Sequence, residues 1–130
     1  MSAAGDELVL IVDDNDRNLR LARDVLRFGG FRTLEASSAA EGVRLAAVHV
    51  PDVILMDIRL PDMDGPAALV ELRKEPRTAD IPIVAVTSSA MMGDRERLLA
   101  AGFDGYLEKP ISVKEFAVQV RAYLRPDGRG

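Results

Sequence analysis

The chain has 130 residues, of which 48% are hydrophobic and 29% are charged, and its formal net charge is −4. This length and composition predict one soluble globular domain and argue against a disordered chain or a second folded domain. The negative charge argues against sequence-independent binding to nucleic acid, and the absence of cysteine excludes disulfides and thiolate metal sites.

No segment of the sequence predicts export or membrane insertion. The N-terminus, MSAAGDE, lacks the basic and apolar pattern of a signal peptide, and no apolar run approaches the roughly 18 residues of a membrane span. We therefore expect a cytoplasmic chain with one domain at 8–124, flanked by short tails at 1–7 and 125–130.

Strand and helix patterns alternate along the chain. The run LVLIV at 8–12 predicts a first strand, and Asn15 can cap a helix that stops at Gly29-Gly30. The later segments predict, in turn, 31–36 (strand), 38–49 (helix), 52–56 (strand), a helix from Gly65-Pro66, 81–86 (strand), 90–101 (helix), 104–108 (strand) and 112–124 (helix). Strands that are mostly apolar on both faces and alternate with helices predict an α/β fold, a doubly wound five-stranded parallel sheet covered by five helices.

Polar residues follow four of the predicted strands. They are Asp13-Asp14 after the first strand, Asp57 after the third, Thr87-Ser88-Ser89 after the fourth and Lys109-Pro110 after the fifth. Doubly wound sheets bind ligands outside the carboxyl ends of their strands, near the point where the strand order reverses. In the order 2-1-3-4-5, strands one and three are neighbours, so we expect the three aspartates to share a pocket flanked by Thr87 and Lys109.

The three aspartates predict a cation site. Like charges about 4 Å apart cost roughly 1 kcal/mol in water and about 4 kcal/mol in a partly protected site, so the cluster is destabilising without a counter-ion. Lys109 supplies one positive charge against three negative ones, which leaves two negative charges. Oxygen ligands without histidine or cysteine select magnesium, calcium or manganese, and magnesium typically binds carboxylates, waters and a phosphate together.

Each of these residues also has an ordinary interpretation. Asp13-Asp14 and Asp57 suit helix caps or turns, Thr87 suits a strand-end hydroxyl, and Lys109 suits a solvated lysine. A metal and phosphate site is favoured because four such features fall at the same edge of one sheet.

The stretches VDDND, ILMDIRLPDMDG, VAVTSSA and GYLEKPIS resemble the receiver domain of two-component response regulators. The resemblance covers about residues 8–124 and implies a flavodoxin-like fold. It implies that Asp57 is a phosphoacceptor, which receives a phosphoryl group from a sensor histidine kinase or a histidine phosphotransfer protein. It also implies a Mg²⁺ ion held by Asp14, Asp57 and the backbone carbonyl of Arg59, with Asp13 acting mostly through water.

The resemblance assigns roles to the remaining polar residues. Lys109 would contact a phosphoryl oxygen, and the Lys109–Pro110 peptide bond would be cis. Thr87 and Ser88 would bind the phosphoryl group, and movement of Thr87 would let Tyr106 rotate and reshape the surface of helix four, strand five and helix five. The alternative for Tyr106 is a half-buried aromatic residue with a solvated hydroxyl.

Two further positions are expected to tune hydrolysis. Two positions that vary in the family are Arg59, two residues past Asp57, and Ser89, two residues past Thr87, and the resemblance implies that both flank the route of the attacking water. We predict that Arg59 covers the phosphoryl group and slows its hydrolysis. The alternative is that Arg59 points into solvent.

Three classes of function compete. The leading one is a signalling module, either a free-standing single-domain regulator of the DivK kind or a receiver of a hybrid kinase. Its output would be a downstream protein partner, with no direct nucleic acid and no membrane, and we expect a monomer or weak homodimer.

The other two classes are an enzyme and a flavin carrier. A phosphatase of the haloacid dehalogenase type needs an acid two residues after its nucleophile, where this chain has Arg59, and a nucleophile after the first strand. A flavodoxin-like carrier needs a Ser/Thr/Gly-rich loop after the first strand, where this chain has DDND. We therefore expect a phosphoacceptor with at most slow self-dephosphorylation, and not an enzyme.

Overall fold

Parallel strands alternate with helices in the computed structural model, which describes residues 7–88 and 94–124. The strands of these described segments are β1 (Leu8–Val12), β2 (Arg32–Ala36), β3 (Val53–Asp57), β4 (Ile83–Thr87) and β5 (Gly105–Glu108). The helices are α1 (Asp16–Phe28), α2 (Ala39–His49), α3 (Gly65–Lys74), α4 (Asp94–Ala101) and α5 (Phe116–Arg121). The sheet order is β2-β1-β3-β4-β5 and all pairs are parallel, which confirms the predicted doubly wound fold.

The sheet separates two hydrophobic cores. Side chains of successive strand residues point to opposite faces, so Val9 and Ile11 of β1 pack with α1 and α5, whereas Leu10 and Val12 pack with α2 and α3. All five residues of β3, and all five of β4, are buried. Strands that are apolar on both faces require helices on both sides, so the helices cover the two faces of the sheet and leave the ends of the strands accessible.

The helices begin where the sequence supplies side-chain caps. The Asn15 carboxamide oxygen accepts from the Asn18 backbone N–H at 3.1 Å, which confirms the predicted start of α1. The Asp64 carboxylate accepts from the Ala67 N–H at 2.9 Å, and Pro66 lies in the first turn of α3. Along the segments that the structure describes, no helix is both long and apolar enough to span a membrane.

Several predicted boundaries were wrong. Helix α5 covers Phe116–Arg121 and not 112–124, because the flanking turns are held by tighter i→i−3 bonds, from the Glu115 N–H to the Ser112 carbonyl at 3.2 Å and from the Tyr123 N–H to the Val120 carbonyl at 3.0 Å. The third strand extends to Asp57, and the fourth to Thr87, so these two residues end their strands and do not follow them. The first residues of the predicted fourth helix, 90–93, lie outside the described residues.

Helix α2 approaches β1 closely at Gly42. A Cβ atom added to Gly42 would lie 2.8 Å from Cγ2 of Val12, which is buried in the central part of the sheet and is followed by Asp13. The glycine therefore sets how near the helix can lie to the strand.

We expect Gly42→Ala to destabilise the protein. Overpacking a core costs about 1–3 kcal/mol, while alanine gains about 1 kcal/mol in helix propensity, so the net loss in free energy of unfolding should be up to about 2 kcal/mol. Urea denaturation followed by circular dichroism measures it. Arg44→Ala, at an exposed position of the same helix, is the control and should change stability little. A Gly42→Ala variant that is more stable than wild type would contradict the steric explanation.

Candidate functional site

The carboxyl ends of four adjacent strands bring the predicted polar residues together. Asp13 follows β1, Asp57 ends β3, Thr87 ends β4, and Lys109 follows β5. Because β1, β3, β4 and β5 are consecutive in the sheet, these residues lie along one edge. Asp13, Asp57 and Thr87 are among the few buried polar residues of the described chain.

Lys109 lies between two of the carboxylates. Its Nζ atom is 2.9 Å from Oδ2 of Asp13 and 3.1 Å from Oδ2 of Asp57. The exposed fractions of the three side chains are 18% for Lys109, 7% for Asp13 and 10% for Asp57, so this ion-pair network is shielded from water. Burial lowers the pKa of Lys109, but the hydrogen bonds and charges of Asp13 and Asp57 outweigh burial and raise that pKa above its usual value. Lys109 is therefore a fixed positive charge at neutral pH.

The second oxygen of each buried carboxylate accepts a backbone N–H from two residues further along the chain. Oδ1 of Asp13 accepts from the Asn15 N–H at 2.9 Å, and Oδ1 of Asp57 accepts from the Arg59 N–H at 3.0 Å. These turns orient both carboxylates so that their Oδ2 atoms face Lys109. Asp13 is fixed further because its own N–H donates to the Ala36 carbonyl at 3.0 Å.

The acidic cluster fits a hard divalent cation. One carboxylate oxygen from each of Asp13, Asp14 and Asp57 lies within 4.8 Å of the others, and Asp14 is exposed to solvent. Three negative charges beside one lysine leave two charges to neutralise, and the donors are all oxygen atoms, as Mg²⁺ prefers. The exposed Asp14 keeps one side open for water ligands and for an incoming anion.

The other predicted site residues lie around this cluster at different depths. Thr87 is 2% exposed, and its carbonyl accepts from the Lys109 N–H at 2.8 Å, while Ser88 is exposed. Arg59 is exposed next to Asp57. The Lys109–Pro110 peptide bond is cis. Ser89 lies outside the described residues.

Tyr106 lies on β5, away from the acids. It is half-buried against the core cluster that also contains α2 and α3, and the Arg95 guanidinium of α4 lies 5.9 Å from the centre of its ring. The residue thus connects β5 to α4 at the surface where a rearrangement is predicted.

Two features near the site were missed from the sequence. A small groove beside Lys109 is lined by Asn18 and Leu21 of α1 as well as by Phe116. The signal for it in the sequence is Leu21, an apolar residue of α1 that lies outside the buried row Leu19, Ala22 and Leu26 and is 41% exposed, whereas the prediction of the site used strand ends alone. The other missed feature is Asp62, whose carboxylate contacts the start of α2.

Comparisons with known proteins agree with this geometry. The family model of the response regulator receiver domain matches residues 9–121. The polar-differentiation response regulator DivK of Brucella ovis is 41% identical over 116 residues, which cover 89% of this chain and 94% of DivK.

Solved structures show the same fold. The receiver domain of a sensor histidine kinase from Pseudomonas aeruginosa, with a magnesium ion coordinated in its active site cleft, is 36% identical, has a TM-score of 0.82, and matches 90% of this chain and 96% of that one. A chemotaxis response regulator of Vibrio cholerae shares the fold with a TM-score of 0.85 at 24% identity, over 91% of this chain and 98% of its own. The resemblance found in the sequence is confirmed, and the chain belongs to the response regulator receiver domains of two-component systems.

Proposed function

We propose that this receiver domain accepts a phosphoryl group onto the Asp57 carboxylate from a phosphohistidine of a sensor histidine kinase or histidine phosphotransfer protein. The observation that carries the proposal is the position of Asp57. Its carboxylate is buried, lies 3.1 Å from the Lys109 ammonium, and shares a cluster with Asp13 and Asp14 that has room for a cation. A carboxylate in such a site can act as a covalent nucleophile.

The transfer exchanges one phosphorus bond for another. A carboxylate oxygen of Asp57 forms the new P–O bond as the P–N bond of the phosphohistidine breaks, and the donor ring, which carries a proton on its other nitrogen, keeps the bonding electron pair and leaves as neutral imidazole. The exposed side of the cluster, next to Asp14, admits the donor. The protein supplies position and charge, which is the main source of catalysis in phosphoryl transfer.

The metal ligands we propose are Asp13, Asp14, Asp57 and the backbone carbonyl of Arg59. When bound, Mg²⁺ supplies positive charge against the equatorial phosphoryl oxygens. Asp13 and Asp57 are already oriented by their turn hydrogen bonds, so little rearrangement of these side chains is needed.

Lys109 has two roles in this proposal, one before and one after the transfer. In the unphosphorylated protein it neutralises part of the repulsion between Asp13 and Asp57. After transfer it binds a phosphoryl oxygen, a role that suits the compact ammonium charge of lysine.

The output that we propose is a change at the surface of α4, β5 and α5. Thr87 and Ser88 would bind the phosphoryl group, and Tyr106 would respond by rotation. Thr87 is paired in register with Glu108 of β5, two residues after Tyr106, so the two strands link the site to that surface. Phosphorylation would bias two existing states, and the altered surface would control a downstream protein partner in the cytoplasm.

The proposal makes the chain a phosphoacceptor and not a turnover enzyme. The position two residues after Asp57 is Arg59, whereas phosphatases with an aspartate nucleophile need an acid there. The nucleophile also ends the third strand and not the first. Multiple turnover of p-nitrophenyl phosphate would count against this assignment.

We expect Asp57→Asn to abolish phosphorylation. Incubation with acetyl phosphate and Mg²⁺, followed by intact-protein mass spectrometry, should add one phosphoryl group to wild type and none to the variant, because the amide cannot act as the nucleophile. Removing Mg²⁺ with a chelator should suppress the addition to wild type. Full labelling of Asp57→Asn, or labelling that is insensitive to Mg²⁺, would show that another residue or mechanism is responsible.

We expect Arg59→Ala to shorten the lifetime of the phosphorylated form. An exposed charge pair is worth about 0.2–1 kcal/mol, so loss of the guanidinium beside the phosphoryl group should speed hydrolysis about 1.4- to fivefold. Decay of the phosphorylated mass after removal of acetyl phosphate measures it. Arg59→Lys should have a lifetime between those of wild type and Arg59→Ala. Arg44→Ala, on α2, should leave the lifetime unchanged. Equal lifetimes for wild type and Arg59→Ala would mean that Arg59 only points into solvent.

A further inference from the structure

Asp62 ties the β3–α3 loop to the beginning of α2. Its Oδ1 atom accepts from the Ala39 N–H at 2.9 Å, and its Oδ2 atom accepts from the Ala40 N–H at 2.9 Å. These contacts join residues 22 and 23 positions apart in the chain. The helix also has a local cap, since the Ser38 hydroxyl accepts from the Glu41 N–H at 3.2 Å. Asp62 thus adds a long-range connection to a helix start that is already capped.

The same helix start is connected to the acidic cluster from its other side. Ala36, three residues before Ala39, accepts the Asp13 N–H at 3.0 Å. The two loops that carry the acids are therefore linked through one segment, with the β1–α1 loop held at Ala36 and the β3–α3 loop held at Ala39 and Ala40. The three hydrogen bonds of this connection have ordinary lengths of 2.9–3.0 Å.

Other contacts fix the ends and the depth of the β3–α3 loop, and Leu60 packs in the core cluster that includes Ala39 of α2. The Gly65 N–H donates to the Ile58 carbonyl at 3.0 Å, which closes the loop at its base. Leu60 is buried in the core, and Asp64 caps α3. Asp62 supplies the hydrogen bonds from this loop toward α2.

The charge of Asp62 is maintained at neutral pH. The N–H groups of Ala40 and Ala39 lower the pKa of this carboxyl below its ordinary value of 3.8. A depressed pKa in the folded protein means that the contribution of the carboxylate is present above the ordinary pKa and is lost as the pH falls through the folded one. The connection to α2 is therefore at full strength wherever the domain operates near neutrality.

We propose that Asp62 is a positioning residue for the metal site, which holds the Arg59 backbone and Asp57 at the correct distance from Asp13 and Asp14. This inference rests on the proposed function, in which the Arg59 carbonyl is a ligand of Mg²⁺. Mg²⁺ demands nearly ideal octahedral geometry, so a small displacement of one loop against the other lowers its affinity. Asp62 itself does not belong to the ligand set, since its carboxylate is engaged with α2.

The test compares Asp62→Ala with two matched variants. Ser38→Ala removes the local cap of α2 and leaves the hydrogen bonds between Asp62 and α2 intact. Asp64→Ala removes the cap of α3, which lies in the same β3–α3 loop as Asp62. Each variant is titrated with Mg²⁺ by isothermal titration calorimetry, and the hydrogen exchange of the Arg59 amide is measured by NMR in the metal-free protein. Asp62→Asn, which keeps one acceptor oxygen, serves as the conservative variant and as the substitute if the alanine variant does not fold.

We expect Asp62→Ala to raise the Kd for Mg²⁺ about three- to tenfold. Residues that contact a metal ligand directly typically change the affinity 10–100-fold, and Asp62 should have a smaller effect because it acts through the loop. The Arg59 amide, which is bonded to Asp57 in wild type, should exchange faster. Asp62→Asn should lie between Asp62→Ala and wild type. Ser38→Ala and Asp64→Ala should leave both quantities close to wild type even where they lower stability.

Two results would overturn the inference. One is an unchanged Kd together with unchanged Arg59 exchange in Asp62→Ala. The other is an equal loss of affinity in Ser38→Ala, which would assign the effect to helix stability. If wild type itself binds no Mg²⁺, the proposed function fails, and Arg59 exchange in the metal-free protein then decides the positioning role by itself.

Discussion

The arrangement of this domain depends on one lysine ammonium shared by two buried carboxylates. Removing the lysine would leave two carboxylates close together in a shielded place without their cation, which is among the most costly changes that a protein interior can undergo, whereas removing either carboxylate would leave the lysine paired with the other. The contact also spans the sheet, because Asp13 follows β1, Asp57 ends β3 and Lys109 follows β5. The ends of three strands are thereby linked at the edge of the sheet where the chemistry is proposed.

The two buried carboxylates, Asp13 and Asp57, use their two oxygen atoms in the same way. In each, one oxygen accepts a backbone N–H two residues ahead, and the other faces Lys109. Orientation is thus provided by local turns, while charge compensation comes from Lys109, which is 52 residues from Asp57 in the sequence. Because both oxygens of each carboxylate are held, the site can be rigid although its residues lie at strand ends and in loops.

Much of the fold followed from the sequence, because short apolar strands alternating with capped helices leave few alternatives. The meeting of Asp13, Asp14, Asp57 and Lys109 was predictable because parallel strands end at one edge. The role of Asp62 was not, since LPDMDG has the composition of an ordinary turn and the contact reaches a helix more than twenty residues earlier. The extent of α5 was also missed, because apolar periodicity does not distinguish an α-helix from the tighter turns at its ends.

The burial of β3 on both faces, with neighbours on both sides, limits where the structure can change. A close-packed strand of this kind cannot repack without opening voids, so a charge added at its tip must be absorbed by the surrounding loops. Under the proposed function, the backbone of β3 would keep its position in both states, and the change would begin in the loops and side chains around the end of the strand.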